Sequence, residues 1–278
     1  MPAPLGTTTL DRLRKSHIDG LIVRLRGKGL SDSTLRQVYT VLRAVLADAK
    51  LDGLIADNAA LRVRRPRVAR TEATYLEPDQ VMALLAAADG LRYRSVLVLI
   101  AGTGLRRGEA LALRWEHVDL AAGEIRVRET VGRLDGRLVF SEVKTAKSRR
   151  TVPLSSAMVT MLEAHKVEQA AERLRAGESW ADNGLVFCTE LGHPVEPRNI
   201  LRTVETAATK AGVVGVGVHS LRHSAAVAWL DNGVHIRAVA DLLGHSSIAV
   251  TGDVYAHTSD DTARAAVEKL AGTLGLDG

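Results

Sequence analysis

The chain has 278 residues and a single cysteine, Cys188. That length allows one large or two modest domains, each with its own core. A single cysteine excludes an intramolecular disulfide and a cysteine-based zinc site, so we expect Cys188 to serve packing. The sequence has no run of about 18 uncharged apolar residues and no signal-peptide pattern at its N-terminus. We therefore expect a soluble protein of the cytoplasm that does not contact a membrane.

Charge is distributed unevenly along the chain. Residues 1–70 contain 14 Lys and Arg against 6 Asp and Glu, a net charge of +8. Residues 71–278 contain 23 against 26, a net charge of −3. A basic first segment favours contact with an anionic polymer such as nucleic acid, although a basic surface can also serve solubility alone.

The first segment is predicted to be a small helical domain over residues 1–65. The stretch STLRQVYTVLRAVLADAK has apolar residues at helical spacing, and Ser31 or Ser33 is available as the N-cap. The predicted apolar face consists of Leu35, Val38, Tyr39, Leu42, Val45, Leu46 and Ala49.

Two groups of basic residues lie in the first segment and in the stretch that ends it. Arg36, Arg43 and Lys50 are spaced by seven on the same helix, as a stripe that either lies along phosphates or simply faces solvent. The stretch RVRRPRVARTEAT has no apolar periodicity, and we interpret residues 66–74 as a basic linker whose charge suits a DNA backbone. The arginines of this second group that we predict to bind DNA are Arg62, Arg64, Arg65 and Arg67.

From Tyr75 the pattern changes, and we assign residues 75–278 to a second domain. LEPDQVMALLAAA predicts a helix with Pro78 in its first turn, and YRSVLVLIAGTG predicts a central helix closed by its glycines. EIRVRET, RLVFSEV and TVPL predict a small antiparallel sheet with a turn at Asp135–Gly136. Helices are predicted from about Ser155 to the end. The expected fold class is mainly α with a small antiparallel β-sheet (α+β).

Four stretches carry residues that could do chemistry. They are GTGLRRGEALALRW with Arg106 and Glu109, EVKTAKSRRTVPL with Lys144 and Lys147, HSLRHSAA with His219 and Arg222, and LLGHSSIAVTGDVYAH with His245 and Tyr255. Each residue alone has an ordinary explanation as an ion pair, a solvated lysine or a packed ring. His219 and His223 have a spacing that can bind zinc, but no third ligand is evident and Arg222 adds a positive charge, so we expect no metal.

Taken together, these residue types suit metal-free attack on a phosphodiester. Two guanidinium groups can hold the non-bridging oxygens and stabilise charge in the transition state. A tyrosine is a nucleophile whose phenolate also leaves phosphorus readily, which makes the covalent step reversible. A lysine can protonate the departing sugar oxygen, and a histidine can accept the phenolic proton.

The same stretches resemble those of the tyrosine recombinases, the family of phage integrases and Xer-like enzymes. TGLRRGEAL, VKT…RRTVPL, HSLRH, LLGHSSI and TGDVYAH occur in the order and approximate spacing of that family. GLSDSTLRQVYTVLRAVLADAKLDGLIADNAA looks like the family's core-binding domain, and the remainder looks like its catalytic domain. The resemblance covers nearly the whole chain and implies a two-domain clamp around DNA.

The resemblance implies a role for each matching residue. Its six catalytic positions are Arg106, Lys144, His219, Arg222, His245 and Tyr255. Tyr255 matches the nucleophile, Lys144 the general acid, and Glu109 the acidic residue that orients the site. Lys147 is the alternative to Lys144, because the length of the hairpin loop varies in the family. His223 and His257 also match the pattern, and we interpret them as mainly structural.

The implied function is site-specific DNA recombination (integration) through a 3′-phosphotyrosine intermediate, without metal, ATP or other cofactor. The implied partners are double-stranded DNA core sites, on two of which four protomers assemble, and accessory or directionality proteins. An apolar stripe in the tail DDTARAAVEKLAGTL would dock on a neighbouring protomer or on its own domain. Only about eight residues precede the core-binding segment, so we expect either a sequence from which the family's additional arm-binding domain has been removed or a simple recombinase that needs only core sites.

Two alternatives stay open at this point. A type IB topoisomerase would use the same chemistry but rejoin the original strand, and a catalytically silent DNA-binding regulator would use the same fold. The sequence does not reveal the DNA site, and it does not distinguish integration from excision, resolution or inversion.

Overall fold

A computed structural model of the protein describes residues 5–68, 74–143, 147–245, 247–248 and 252. The chain divides into two compact units, Met1–Thr71 and Glu72–Gly278. Among the helices formed by the described residues, none combines the length and the apolarity that a membrane crossing requires. The fold is mainly helical with small antiparallel sheets, which confirms the predicted fold class.

The first unit is built on two α-helices. Its elements are α1 (Lys15–Gly27), α2 (Asp32–Leu51) and 3₁₀ turns at Leu5–Thr7, Leu10–Arg12 and Ala59–Arg62. Ser31 is the N-cap of α2, because its hydroxyl accepts a hydrogen bond from the Thr34 amide at 3.3 Å. Of the two serines considered, the cap is therefore Ser31.

A small apolar core holds this unit together. Ile18, Tyr39 and Leu46 are buried, and the Tyr39 hydroxyl donates a hydrogen bond to the Ala60 carbonyl at 3.0 Å. This hydrogen bond connects α2 to the 3₁₀ turn Ala59–Arg62 and gives the hydroxyl of the buried Tyr39 ring a partner. Val45 does not share this core, since it is 55% exposed. Its helical spacing made it a core candidate, but the unit has too little opposing surface to cover it.

The second unit contains the remaining helices and all the strands of the described residues. Its α-helices are α3 (Pro78–Ala87), α4 (Arg94–Thr103), α5 (Arg107–Leu111), α6 (Ser156–Ala176), α7 (Pro197–Ala211), α8 (Val218–Asp231) and α9 (Ile236–Leu243). Helix α4 is apolar almost all round, with Leu97, Leu99 and Ile100 fully buried. Burying each such side chain stabilises the fold by about 1.5–3 kcal/mol.

The strands form two antiparallel sheets where one was predicted. They are β1 (Val118–Asp119), β2 (Glu124–Val127), β3 (Glu129–Leu134), β4 (Arg137–Glu142) and β5 (Arg150–Pro153). The first sheet has the order β1-β2-β5, and the second is the β3-β4 hairpin. EIRVRET is therefore split at Arg128. The predicted turn is present, with Asp135 and Gly136 at φ values of 47° and 77°, as a two-residue hairpin turn prefers.

The prediction of helix throughout from Ser155 is wrong for one segment. Ser155 does cap α6, accepting a hydrogen bond from the Met158 amide at 3.4 Å. Residues 180–196, however, form irregular chain with two isolated β-bridges, one between Cys188 and Pro194 and one between Leu185 and Arg114. Cys188 is buried there and accepts a hydrogen bond from the Gln169 side chain at 3.2 Å.

Two glycines allow close packing between elements of this unit. Gly104 ends α4 with a φ of 63°, and a Cβ there would lie 2.6 Å from a methyl carbon of Leu243 on α9. A Cβ on Gly108 of α5 would lie 2.5 Å from the Thr130 hydroxyl on β3. The absence of a side chain therefore lets the end of α4 approach α9 at Gly104, and lets α5 approach β3 at Gly108.

Candidate active site

The C-terminal end of α9 is surrounded by three arginines from different parts of the chain. Arg150 Nε donates to the Leu242 carbonyl at 2.6 Å, and an Arg222 nitrogen donates to the Leu243 carbonyl at 2.8 Å. Arg106 makes longer contacts, 3.5 Å to Leu243 and 3.3 Å to the Gly244 carbonyl. Carbonyls at a helix C-terminus have no partner within the helix and carry partial negative charge, so cations are stabilised there.

Glu109 is the carboxylate that joins two of these arginines. It is 4% exposed and accepts hydrogen bonds from Arg106 NH1 at 2.8 Å and Arg150 NH2 at 2.8 Å. Burial alone would raise its pKa, but the hydrogen bonds and charge of Arg150, with those of Arg106, lower it below the usual range. Glu109 is therefore ionised, and loss of one partner of such a buried pair costs about 3–5 kcal/mol.

Arg222 is the most deeply buried cation of the group, with 3% of its surface exposed. It donates to the Gly104 and Leu243 carbonyls and to His245 Nε2, the last at 2.9 Å. Burial and the charge of Arg106 lower its pKa to about 9, so that it remains charged at neutral pH. Two of its five N–H donors have no partner among the described residues.

Three histidines beside the arginines are neutral at pH 7. Burial and the charge of Arg222 lower the pKa of His245 to about 4, and burial and His219 lower that of His223 to about 4. Partial desolvation and Arg222 also lower the pKa of His219, whose ring meets that of His223 edge to face at 5.0 Å. Because an arginine only donates, His245 Nε2 accepts and its proton resides on Nδ1.

The charge balance of this group is positive. Three guanidinium groups and one carboxylate leave two positive charges in excess when the histidines are neutral. Such an excess suits an anionic phosphate. Within the described part of the chain, no group of three or more His, Cys, Asp or Glu side chains is arranged to hold a metal ion.

A surface cavity of about 360 Å³ lies next to His245 and includes Lys147 and Arg237 in its wall. Of the two lysines considered, Lys147 therefore lies beside the cluster. Lys144, Tyr255 and His257 lie outside the described residues, as does the predicted C-terminal helix. Of the six predicted catalytic residues, the structure thus describes Arg106, His219, Arg222 and His245, which it brings together.

Arg150 was not singled out from the sequence, although it belongs to the cluster. It begins β5 and is 8% exposed, on the same face of the strand as the buried Val152. An arginine at a core-facing position of a short strand requires a buried carboxylate or carbonyl partner. In RRTVPL, Arg150 and Val152 alternate with the exposed Thr151 and Pro153, and this alternation indicates from the sequence that Arg150 faces the core.

The predicted DNA-binding residues of the first unit differ in exposure. Arg36 is half-buried and donates to the Pro66 carbonyl at 3.1 Å, so it is not on an open stripe with the others. Arg62 and Lys50 are exposed and pair with Asp57 at 2.7 and 3.5 Å. The residues Arg43, Arg64, Arg65 and Arg67 are exposed. Val63 and Pro66 are buried in the same unit.

Comparison of the sequence with known proteins identifies the family of the chain. Residues 74–262 match the model of the phage integrase family. A tyrosine recombinase XerC-like protein of Caldanaerobacter subterraneus is 30% identical over 265 residues, covering 89% of this chain and 68% of the relative. Tyrosine recombinase XerC of Mycobacterium bovis is 29% identical, covering 94% of this chain and 85% of the relative.

Solved structures of DNA-bound recombinases have a fold similar to that of this chain. The Tn1549 transposon integrase in complex with transposon right end DNA is similar with a TM-score of 0.80 and 22% identity, covering 97% of this chain and 89% of that one. XerH recombinase bound to its difH substrate is similar with a TM-score of 0.67 and 19% identity, covering 92% and 72%. The chain therefore belongs to the phage integrase family, and its class is that of the tyrosine site-specific recombinases.

Proposed function

We propose that the protein cleaves and rejoins double-stranded DNA at specific core sites through a covalent link between Tyr255 and a 3′-phosphate. The observation that supports this most strongly is the meeting of Arg106 and Arg222 at the end of α9, with His219 and His245 beside them. The chain continues from there to Tyr255, ten residues after His245. The scissile phosphate binds at this cluster.

The two arginines stabilise the phosphate as its charge increases in the transition state. Arg222 has N–H donors beyond those used within the described residues, and it is rigidly held by two carbonyls and His245. Arg106 is the more exposed of the two, and its carbonyl contacts of 3.3–3.5 Å are long enough for a phosphate oxygen to replace them. Fixed donors of this kind require no rearrangement during the reaction.

Proton transfer completes the reaction. His219 is neutral at pH 7, so it accepts the phenolic proton of Tyr255 as the oxygen attacks phosphorus. Lys144 protonates the departing 5′-oxygen, and Lys147, beside His245, is the alternative donor. The 5′-hydroxyl of a partner strand then attacks the phosphotyrosine, which releases Tyr255 and reforms the DNA backbone. No ATP or metal enters these steps.

The DNA is held by both units in this proposal. The helical first unit, residues 1–65, and the basic segment 66–74 contact the phosphate backbone, and residues 75–278 carry out the chemistry. Arg43, Lys50, Arg62, Arg64, Arg65 and Arg67 supply the charge of the first part, with Arg36 supporting it. Four protomers assemble on two core sites, and accessory proteins set direction.

A covalent-trapping experiment tests this function. Duplexes that carry candidate core sites and a nick near the scissile phosphate lose the short 5′-hydroxyl fragment after cleavage, so the adduct accumulates. We expect the wild-type protein to form an adduct that resists SDS and migrates with labelled DNA. Tyr255→Phe should bind the same DNA with similar affinity and form none, because its ring has no oxygen to attack phosphorus.

The outcomes separate the alternatives. An adduct that persists in Tyr255→Phe would rule out this nucleophile. Binding without an adduct on any site would indicate a silent regulator. Relaxation of supercoiled plasmids that lack a core site would indicate topoisomerase activity.

A further inference from the structure

Arg150 connects three elements of the second unit through a single side chain. From the start of β5 it donates to both carboxylate oxygens of Glu109 on α5, at 3.3 and 2.8 Å. It also donates to the Leu242 carbonyl at the end of α9, at 2.6 Å, and to the Ser148 carbonyl at 3.3 Å. Four of its five N–H donors are thus used within the protein.

The partners of Arg150 are the groups that orient Arg106 and Arg222. Glu109 accepts hydrogen bonds from both the backbone amide and the guanidinium of Arg106, at 2.9 and 2.8 Å. The Leu242 carbonyl precedes the two carbonyls that Arg222 and Arg106 contact. Fixing the carboxylate and the helix end therefore fixes the positions of both phosphate-binding arginines.

The backbone at Gly244 is shaped around this contact. Gly244 has a φ of 65°, and a Cβ there would lie 2.8 Å from an Arg150 terminal nitrogen. Only glycine leaves room for the guanidinium against the end of α9 while adopting this conformation without strain. The same turn leads directly into His245.

We propose that Arg150 is a positioning residue of the recombination site, which holds Glu109 and the end of α9 so that Arg106, Arg222 and His245 face one phosphate. The proposal rests on the proposed function. Arg150 does not bind the phosphate itself, because its donors are used within the protein and its side chain is buried. Its loss therefore slows the chemical step more than it weakens DNA binding.

The variant Arg150→Lys tests this role. Lysine keeps the charge, but its single nitrogen cannot contact Glu109 in the bidentate manner and Leu242 together. We expect the single-turnover rate of adduct formation on the nicked duplex to fall ~10–100-fold, since small misplacements of catalytic groups have effects of that size. DNA affinity, measured by fluorescence anisotropy on the same duplex, should change less than about threefold.

Arg92→Lys is the matched control. Arg92 also contacts a glutamate in the bidentate manner, Glu172, at 2.6 and 2.9 Å. It precedes α4, whereas the cluster lies beyond the other end of that helix, about 15 Å along its axis. This variant loses an equivalent ion pair without touching the cluster, so its rate of adduct formation should equal that of the wild type.

A second variant guards against misfolding. In Glu109→Gln combined with Arg150→Met, the carboxylate and the guanidinium are removed together, so neither of these two groups is left buried without the other, and the fold should persist, as circular dichroism and thermal unfolding will show. We expect this folded double variant to cleave slowly as well. A wild-type rate in Arg150→Lys or in the folded double variant would overturn the proposal, as would equal losses of affinity and rate. Absence of an adduct with wild-type protein would instead overturn the proposed function.

Discussion

Two groups of arginines, one in each unit, occupy opposite environments. Around α9, Arg150 and Arg222 are buried and hydrogen-bonded to fixed carbonyls and a carboxylate. In the first unit, Arg64 and Arg67 are exposed on a segment that follows a small core. The same type of side chain is thus a donor fixed by hydrogen bonds in one place and an exposed surface charge in the other.

This difference separates two tasks of a DNA-cleaving protein. A buried guanidinium acts at short range, where geometry decides its contribution and solvent ions have little influence. An exposed guanidinium acts through its charge, and its contribution is screened by salt. The two groups should therefore differ in what their removal changes, with the buried group affecting rate and the exposed group affecting affinity.

The largest effect is expected from Arg222→Ala. Removal of one fixed donor to the transition state should slow adduct formation on the nicked duplex by a factor on the order of 10²–10³ or more. Arg202→Ala, which removes an exposed arginine from α7, is the control and should leave the rate unchanged. If Arg222→Ala retained a near-normal rate, the phosphate-binding role of Arg222 would be wrong.

The sequence predicted the local features of this site better than its assembly. The N-cap of α2 at Ser31 or Ser33, the start of a helix near Ser155 and the Asp135–Gly136 turn were predictable, because helix starts and hairpin turns depend on a few adjacent residues. The motifs also predicted the family. Residues 180–196 were assigned to helix in error, since their irregular path is fixed by contacts with distant chain such as Arg114.

Arg150 marks the limit of prediction from local pattern. The alternation in β5 indicates that Arg150 is buried, but its partners Glu109 and Leu242 lie 41 and 92 residues away in the chain, so the local sequence does not indicate what it binds. Val45 shows the reverse error, since helical spacing predicted an apolar face wider than the first unit can cover. In both cases tertiary packing decides burial.

A second, intermediate effect concerns how the buried cluster responds to pH. His223 and His245 have pKa values of about 4 in the folded protein, against about 6.5 when unfolded. The unfolded chain therefore binds protons first, and stability present above pH 6.5 is lost as the pH falls towards 4. Both rings are partly exposed, so we expect a loss of roughly 1 kcal/mol for each histidine.

Urea unfolding between pH 7 and pH 4.5 measures this loss. His223→Gln should unfold with a weaker dependence on pH than the wild type over that range, because one of the histidines that bind protons on unfolding is gone. An unchanged dependence would show that the buried arginines do not suppress protonation of their neighbours, and that the cluster is more hydrated than its contacts indicate.

The smallest effect is expected in the exposed group. Arg67→Ala should weaken DNA binding only a few-fold at moderate salt and should reduce the slope of log affinity against log salt by about one, as for one lost phosphate contact. The rate of adduct formation at saturating DNA should stay at the wild-type value. Arg175→Ala, an exposed arginine on α6, controls for loss of one surface charge. A lower rate of adduct formation at saturating DNA in Arg67→Ala would mean that the exposed arginines also position the DNA for cleavage. The distinction between buried arginines that affect rate and exposed arginines that affect affinity would then be wrong.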